Sequence, residues 1–113
     1  MKKTLSLKKS SDFQRILKKG TWYSGDYISM YIMPNFSNIN YLGIAVSKKG
    51  LNSVERNRVK RLIRENYKNI EENLDVGYNI VVLWRSKNTF DKATYTNIEL
   101  DLKKCLKKSK IIK

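Results

Sequence analysis

Histidine is absent from the sequence and cysteine occurs once, and both scarcities limit the chemistry that the chain can perform. Without histidine there is no histidine general base, no histidine-based nucleophilic dyad and no zinc-ligand cluster. The lone Cys105 excludes an internal disulfide, and its helical spacing with Ile98 and Leu102 predicts core packing. We therefore expect neither a catalytic residue nor a metal site in the protein.

Long apolar stretches are also missing. The longest near-continuous apolar run, from Ile80 to Trp84, is far shorter than the ~18 residues that a membrane span requires. No apolar stretch of signal-peptide type follows Met1, so we expect a cytoplasmic protein without a membrane partner. The 113 residues suffice for one modest core, which predicts a single domain over residues 1–113.

Acidic residues are scarce beside basic ones, with 10 Asp and Glu against 24 Lys and Arg and a net charge of +14. Such an excess of positive charge predicts a polyanionic partner. The sequence is also 41% hydrophobic and 11% aromatic, which argues against a disordered basic tail. We expect a folded domain that binds a polyanion.

The stretch from Ser47 to Ile70 predicts an amphipathic helix around which the rest of the chain is organised. Asn52 is suited to cap the first turn, and Glu55 three residues later completes a capping box. At 3.6 residues per turn, one stripe of the helix contains Val59, Leu62, Ile63, Asn66 and Ile70. A helix with such a stripe needs a sheet to cover.

The opposite side of this helix is basic. It contains Asn57, Lys60, Arg61, Arg64 and Lys68, flanked by Arg56 and Arg58. Cations in the first turns oppose the helix dipole at a cost of roughly 0.3–1 kcal/mol each, so helix stability alone does not account for them. Guanidinium forks suit phosphate groups. We interpret this side as a phosphate-binding surface, and the alternative is a solvated basic face.

The rest of the chain predicts a small sheet with helices packed on it. The predicted elements are a helix from Ser10 or Ser11 to Gly20, a short strand or turn entry at 21–23, strands at 27–33, 41–48 and 78–84, and a helix at 93–108. Residues 1–9 are either an extended arm or frayed. The strand at 78–84 is apolar on both faces, so we expect it inside the sheet and parallel to a neighbour.

One face of the predicted sheet combines tyrosines with small residues. Tyr31 lies on the face opposite Ile32, and Tyr41 shares its face with Gly43 and Ala45. Such a face has room for nucleobases, which stack on aromatic rings with roughly 1–3 kcal/mol each. Alternatively, the tyrosines cover a hydrophobic surface with their hydroxyls in water. Because nothing indicates a dimer or a helix-turn-helix, RNA is favoured over duplex DNA as the partner.

A Lys48-Lys49 pair ends a predicted strand and is followed on the helix by Arg56-Asn57-Arg58-Val59-Lys60-Arg61-Leu62-Ile63-Arg64. This combination resembles the bacterial ribonuclease P protein subunit, whose hallmark is a Lys-Lys pair followed by Arg-Asn-Arg-x-Lys-Arg-x-x-Arg. Further matches to that family are Leu7-Lys8-Lys9, Asp12-Phe13-Gln14, Gly20 and Leu42-Gly43-Ile44-Ala45-Val46-Ser47. The resemblance therefore runs nearly end to end.

The resemblance implies an α+β fold, an α/β sandwich of the ribosomal protein S5 domain 2-like type. The implied element order is α-β-β-β-α-β-α, with about four strands in a mixed sheet and a left-handed β-α-β crossover, which is uncommon. It implies the non-catalytic protein subunit of a ribonucleoprotein endoribonuclease. The RNA of that enzyme carries the catalytic centre and removes the 5′ leader from precursor tRNA, with magnesium held by RNA and substrate.

The resemblance also implies two sets of contact residues. Those for the catalytic ribonuclease P RNA are Arg56, Asn57, Arg58, Lys60, Arg61, Arg64 and Lys68. Those lining a cleft for the leader of precursor tRNA are Phe13, Leu17, Tyr31, Val46, Lys48 and Lys49. No small-molecule substrate is implied. Strand alternation places Val46 on the face of Leu42 and Ile44, away from Tyr31, and so conflicts with the implied role of Val46.

The sequence departs from the family pattern at three places. Leu17 stands where many members carry an aromatic residue, which weakens stacking in the cleft. Gly50 comes one residue earlier than the usual glycine and Leu51 takes its place, so the loop geometry is expected to differ. Ser53 and Glu55 replace residues that are more often small or apolar, and an acid beside the basic face is expected to reduce RNA affinity slightly.

Two other functions compete with this interpretation. A small basic ribosomal protein has a similar composition and would bind ribosomal RNA without any role in tRNA processing. A stand-alone nuclease would need carboxylates clustered around a metal ion, and the acidic residues of this sequence show no clustered ligand motif.

Overall fold

A five-stranded mixed sheet forms the middle layer of the computed structural model, which describes residues 3–112. The elements in chain order are β1 (Thr4–Ser6), α1 (Ser10–Lys19), β2 (Thr21–Ser24), β3 (Ile28–Pro34), β4 (Asn40–Ala45), α2 (Ser53–Ile70), β5 (Tyr78–Trp84) and α3 (Tyr95–Ser109). Short 3-10 turns at Glu71–Asn73 and Phe90–Lys92 follow α2 and precede α3. Helix α1 packs on one face of the sheet, and α2 and α3 pack on the other.

The strands lie in the order β1-β4-β5-β3-β2. Strand β5 is internal and runs parallel to β4, from which it is reached through α2, whereas β3 is antiparallel to both β5 and β2. The predicted α-β-β-β-α-β-α order is confirmed for the part of the chain that follows β1. The left hand of the β4-α2-β5 crossover stays a prediction.

The expectation of about four strands is corrected by β1, which adds a fifth. It pairs in parallel with β4, with Thr4 opposite Asn40. Two contacts tie it to the end of α2: the hydroxyls of Thr4 and Tyr67 are hydrogen-bonded at 2.7 Å, and the backbone N–H of Lys3 donates to Oε2 of Glu71 at 3.3 Å. The extended-arm alternative is thus the correct one for residues 4–6, while Met1 and Lys2 lie outside the described residues.

The strand expected at 41–48 ends earlier, at Ala45. After it the chain turns, because Oγ of Ser47 accepts the backbone N–H of Lys49 at 3.1 Å and Gly50 adopts a positive φ of 77°. A positive φ is accessible to glycine without a steric penalty. The next side chain, Leu51, is buried in the core. The early glycine and the following leucine therefore make a turn that anchors the start of α2.

The main core lies between the sheet and helices α2 and α3. The predicted stripe of α2 is confirmed: Val59, Leu62, Ile63, Asn66 and Ile70 are all buried, and Tyr67 joins them. The buried amide of Asn66 is satisfied, since its Nδ2 donates to the carbonyl of Leu62 at 3.0 Å and to that of Tyr95 at 3.3 Å. Burial of this stripe determines which side of α2 is exposed to solvent.

Two buried polar side chains hold loops in place around this core. The amide of Asn40 donates from Nδ2 to the carbonyl of Asp75 at 3.0 Å and accepts the N–H of Tyr78 at 2.9 Å, which joins the starts of β4 and β5. The carboxylate of Asp101 accepts the N–H groups of Tyr27 and Ile28 at 2.5 and 3.1 Å. Helix α3 is thereby fastened to the start of β3.

Cys105 is fully buried on α3, as predicted from its spacing. Burial, reinforced by the nearby Asp101, raises the pKa of its thiol from 9.0 to about 11. A thiol in such surroundings stays protonated near neutral pH and is a weak nucleophile. It acts as a small apolar side chain of the core.

Replacing Cys105 with Ser is expected to lower the free energy of unfolding by about 1–3 kcal/mol, because the new hydroxyl is buried without an assured partner. Urea unfolding measures this loss, and Cys105→Ala serves as a control that adds no polar group. Between pH 9 and 11 the unfolded chain loses its thiol proton before the folded one does, so wild-type stability falls. The stability difference between wild type and Cys105→Ser should narrow over that range. Unchanged stability with impaired RNA binding would contradict the core role.

Candidate nucleic-acid interface

The start of α2 is built by the predicted capping box. Oδ1 of Asn52 accepts the backbone N–H of Glu55 at 2.8 Å, and Oε1 of Glu55 accepts the backbone N–H of Asn52 at 3.0 Å. These bonds satisfy N–H groups that a helix N-terminus otherwise leaves without partners. The carboxylate of Glu55 is therefore engaged within the protein, beside the basic residues of the next turn.

The basic side of α2, here called the α2 basic face, points away from the sheet. It comprises Arg56, Asn57, Arg58, Lys60, Arg61, Arg64 and Lys68, of which Arg56 and Lys60 are half-buried and the others exposed. The Nη1 atom of Arg56 donates to the carbonyl of Leu51 at 2.9 Å, which holds this side chain against the β4–α2 loop. Arg56 thus has a structural contact in addition to its charge, whereas Arg58, Arg61 and Arg64 are exposed to solvent.

Cations of the α2 basic face form no ion pair with acidic side chains of the described residues. Within residues 3–112 the ion pairs are Arg15 with Asp12 on α1 and Lys103 with Glu99 on α3, both at 3.6 Å. Neither involves α2. Like charges this close repel one another, and a polyanion that neutralises them gains affinity through release of its counterions. The face is suited to a nucleic-acid backbone.

A second surface, here called the open sheet face, lies on the other side of the sheet, beside α1. The strand register aligns two rows of residues across β2, β3, β5 and β4. One row is Trp22, Tyr31, Val81 and Gly43, and the next is Ser24, Ser29, Leu83 and Ala45. Tyr31, Leu83 and Ala45 are only half-buried, so α1 leaves part of the face accessible.

Helix α1 closes one end of the open sheet face with an aromatic ring. Phe13 lies directly over Gly43, where a Cβ atom would come within 2.5 Å of the ring. The side chain of Leu7 approaches the same position. Leu17 lies one turn further along α1 and is also half-buried. The structure thus brings Phe13, Leu17 and Tyr31 to the same side of the sheet, as predicted for a cleft.

The remaining cleft residues from the sequence divide into two groups. Lys48 and Lys49 are exposed in the loop that follows β4, at the end of the sheet where Ala45 and Leu83 lie. Val46 instead packs against the main core together with Ile44. Strand alternation continues past the end of β4, so the side chain of Val46 points to the α2 side. The direction of the Val46 side chain therefore follows strand alternation, away from Tyr31, and its implied contact with the leader stays a prediction.

Trp22 is an exposed aromatic residue of the open sheet face whose position the sequence alone did not predict. It lies opposite Tyr31 in the β2–β3 pair and is 53% exposed. The alternation of Thr21, Trp22 and Tyr23 carried the necessary signal. Because residues 21–23 were equally compatible with a turn entry, no face was assigned to the indole.

Acidic side chains do not gather into a metal site in residues 3–112, where no three His, Cys, Asp or Glu residues form a cluster. Several acids have other structural contacts, such as Glu55 in the capping box and Asp101 at the start of β3. In the same part of the chain, no helix combines the length and apolarity needed to cross a membrane.

Comparison with known sequences gives a consistent result. The family model described as Ribonuclease P matches residues 1–110. The ribonuclease P protein component of Clostridium botulinum is 42% identical to this chain over 106 residues, which cover 93% of this chain and 94% of that protein. The similarity therefore extends through both the α2 basic face and the open sheet face.

Comparison with solved structures agrees with the comparison of sequences. The RNase P protein of Staphylococcus aureus has a TM-score of 0.84 and 37% identity, covering 96% of this chain and 97% of that one. The RNase P protein from Thermotoga maritima has a TM-score of 0.82 and 27% identity, covering 92% and 96% of the two chains. Fold and sequence agree, and the chain belongs to the ribonuclease P protein family.

Proposed function

We propose that this protein acts in ribonuclease P as a single RNA-binding domain with two separate contact surfaces. As a member of the family, the chain is the protein component of a ribonucleoprotein endoribonuclease that acts in tRNA 5′ processing. The α2 basic face binds the catalytic RNA, and the open sheet face receives the 5′ leader of precursor tRNA. The observation that carries the proposal is the placement of these two surfaces on opposite sides of one sheet.

The α2 basic face supplies charge and geometry for the catalytic RNA. Arg61 and Arg64 are exposed one turn apart, so both guanidinium groups can reach phosphates of one RNA segment. Lys60 and Lys68 add point charges beside them. Glu55, in the first turn of α2, is held in the capping box, which limits its repulsion of the RNA. The contact is therefore expected to be strongly salt-dependent.

The open sheet face suits a single-stranded leader. Bases of unpaired RNA can stack on aromatic side chains, and Tyr31 presents a half-buried ring on this face. The small Ser29 lies two residues before it on the same strand, and the small Ala45 lies on the same face two strands away. Phe13 closes the face at its far end over Gly43. Lys48 and Lys49 are exposed at the end of the sheet and can meet the phosphates of the leader. Val46 is left out of this proposed contact, because its half-buried side chain packs against the main core.

The chemical step belongs to the RNA in this proposal. Magnesium ions are held by the catalytic RNA and the substrate in this proposal, and no three acidic, histidine or cysteine side chains of residues 3–112 form a cluster that could hold a metal ion. The protein contributes positioning and charge. Two polyanionic RNAs repel each other, and a subunit with a net charge of +14 between them reduces this repulsion. The protein should therefore lower the magnesium concentration that cleavage requires.

The proposal is tested by cleavage of precursor tRNA with a bacterial ribonuclease P RNA at low magnesium, with and without this protein. Leader removal that needs both components is the expected result, and protein alone should not cleave. Binding to the catalytic RNA without any gain in cleavage would contradict the proposal and favour a ribosomal RNA-binding protein. Cleavage by the protein alone would favour the stand-alone nuclease.

Removing two arginines of the α2 basic face should weaken the contact with the catalytic RNA. For Arg61→Ala/Arg64→Ala, the slope of log affinity against log salt should become shallower by roughly 1.4–1.8, because each lost phosphate contact accounts for about 0.7–0.9. Filter binding across a salt series measures this slope. The control Lys107→Ala removes an exposed cation of α3, and its slope should stay close to wild type. An unchanged slope in the double variant would exclude phosphate contacts by these arginines.

Removing the ring of Tyr31 should affect only substrates that carry a leader. In the reconstituted enzyme, Tyr31→Ala should lose roughly 1–3 kcal/mol of affinity for precursor tRNA and none for mature tRNA, because one stacked base is lost. Tyr31→Phe keeps the ring and should retain most of the affinity. Tyr95→Ala, at an exposed tyrosine on α3, is the matched control. Equal losses for precursor and mature tRNA would contradict a leader contact at Tyr31.

A further inference from the structure

Trp22 exposes a large aromatic surface at the edge of the sheet. The chain contains two tryptophans, and they differ sharply: Trp84 is 4% exposed in the core, whereas Trp22 is 53% exposed on β2. Strand β2 is the last strand of the sheet on its side. Edge strands commonly carry charged side chains that discourage unwanted pairing, and an exposed indole at this position departs from that pattern.

The register of the strands determines which face the indole occupies. Trp22 is directly opposite Tyr31, and residues paired across antiparallel strands project from the same face with Cβ atoms about 4.5–5.5 Å apart. The next residue, Tyr23, is opposite Met30 and packs against the main core. Trp22 is therefore on the open sheet face, one strand further out than Tyr31.

Cations lie close to Trp22 in the chain. Lys18 and Lys19 are exposed in the last turn of α1, and only Gly20 separates this turn from β2. A surface that combines an exposed indole with adjacent lysines matches the pattern that binds single-stranded nucleic acid, in which rings stack on bases and cations follow the backbone. Trp22 and Tyr31 together form two neighbouring rings on that surface.

We propose that Trp22 is a second base-stacking position of the leader site, next to the one at Tyr31, and that Lys18 and Lys19 bind the leader backbone beside it. This inference rests on the proposed function, because it requires the open sheet face to receive the leader. The site then extends from Phe13 across the sheet to the β2 edge. A leader long enough to reach both rings is bound more tightly than one that reaches a single ring.

Leaders shortened one nucleotide at a time test the inference in the reconstituted enzyme. For full-length leaders, Trp22→Ala should weaken precursor binding by roughly 5- to 150-fold, the equivalent of one stacked base. The Trp22→Ala and Tyr31→Ala effects should disappear at leader lengths that differ from each other. Trp22→Phe should stay close to wild type, whereas Trp22→Leu, which keeps an apolar side chain without a ring, should resemble Trp22→Ala.

Tryptophan fluorescence gives a direct readout that does not depend on cleavage. Trp22 is exposed and Trp84 is buried, so a collisional quencher such as acrylamide acts mainly on Trp22. Single-stranded RNA with the leader sequence should change the emission of the wild-type protein and protect Trp22 from acrylamide. Trp22→Phe removes this signal and supplies the background from Trp84. Phe36→Ala, at an aromatic residue that is 96% exposed in the β3–β4 connection, should leave both fluorescence and precursor affinity unchanged.

Failure of this inference is distinguishable from failure of the proposed function. If the wild-type enzyme cleaves precursor tRNA and Tyr31→Ala shows a leader-specific loss, but Trp22→Ala binds every leader as wild type does, the second stacking position is wrong and the function stands. Equal losses of affinity for precursor and mature tRNA in Trp22→Ala would also overturn the second stacking position. Loss of self-association in Trp22→Ala with unchanged leader affinity would assign the indole to a protein contact instead. Thermal unfolding of Trp22→Phe and Trp22→Leu verifies that each variant is folded.

Discussion

Burial of one stripe of α2 against the sheet is the constraint on which the rest of the structure depends. Val59, Leu62, Ile63 and Ile70 are removed from water, and each fully buried aliphatic side chain of this kind contributes roughly 1.5–3 kcal/mol. Because that side of the helix faces the sheet, helical periodicity places the cations of α2 on the side that faces solvent. The capping box then fixes where the helix begins. A packing requirement of the core thus creates a continuous positive surface. Its like charges repel one another, and an RNA backbone relieves this repulsion.

The open sheet face arises from a different cause, the incomplete cover that α1 gives to the other side of the sheet. This helix has ten residues and cannot cover a five-stranded sheet. Where it does pack, Phe13 fills the space left by Gly43, and beyond it Tyr31 and Trp22 remain accessible. The two surfaces are separated by the thickness of the sheet, so one small domain can contact two RNAs without competition between them.

Features that depend on residues close together in the sequence were predicted correctly from the sequence. The stripe and the capping box follow from residue spacing along α2, and the burial of Cys105 follows from residue spacing along α3. The structure confirms all three predictions. Features set by distant residues were harder to predict. The three residues of β1 form a strand because they pair with β4, and the hydrogen bond between Thr4 and Tyr67 adds a second contact with a distant part of the chain. The face of Trp22 depends on the register with β3. For Val46, strand alternation alone predicted the direction of the side chain that the structure shows.

The central claim is that each side of the sheet contacts a different RNA, and site-specific crosslinking tests it most directly. Asn57→Cys on the α2 basic face and Ser24→Cys on the open sheet face can each carry a thiol-linked photocrosslinker, because the native Cys105 is buried and protonated. In the assembled enzyme, the probe at residue 57 should crosslink to the catalytic RNA and the probe at residue 24 to leader nucleotides of precursor tRNA. Crosslinking of both probes to the same RNA, or an exchange of their targets, would contradict the account.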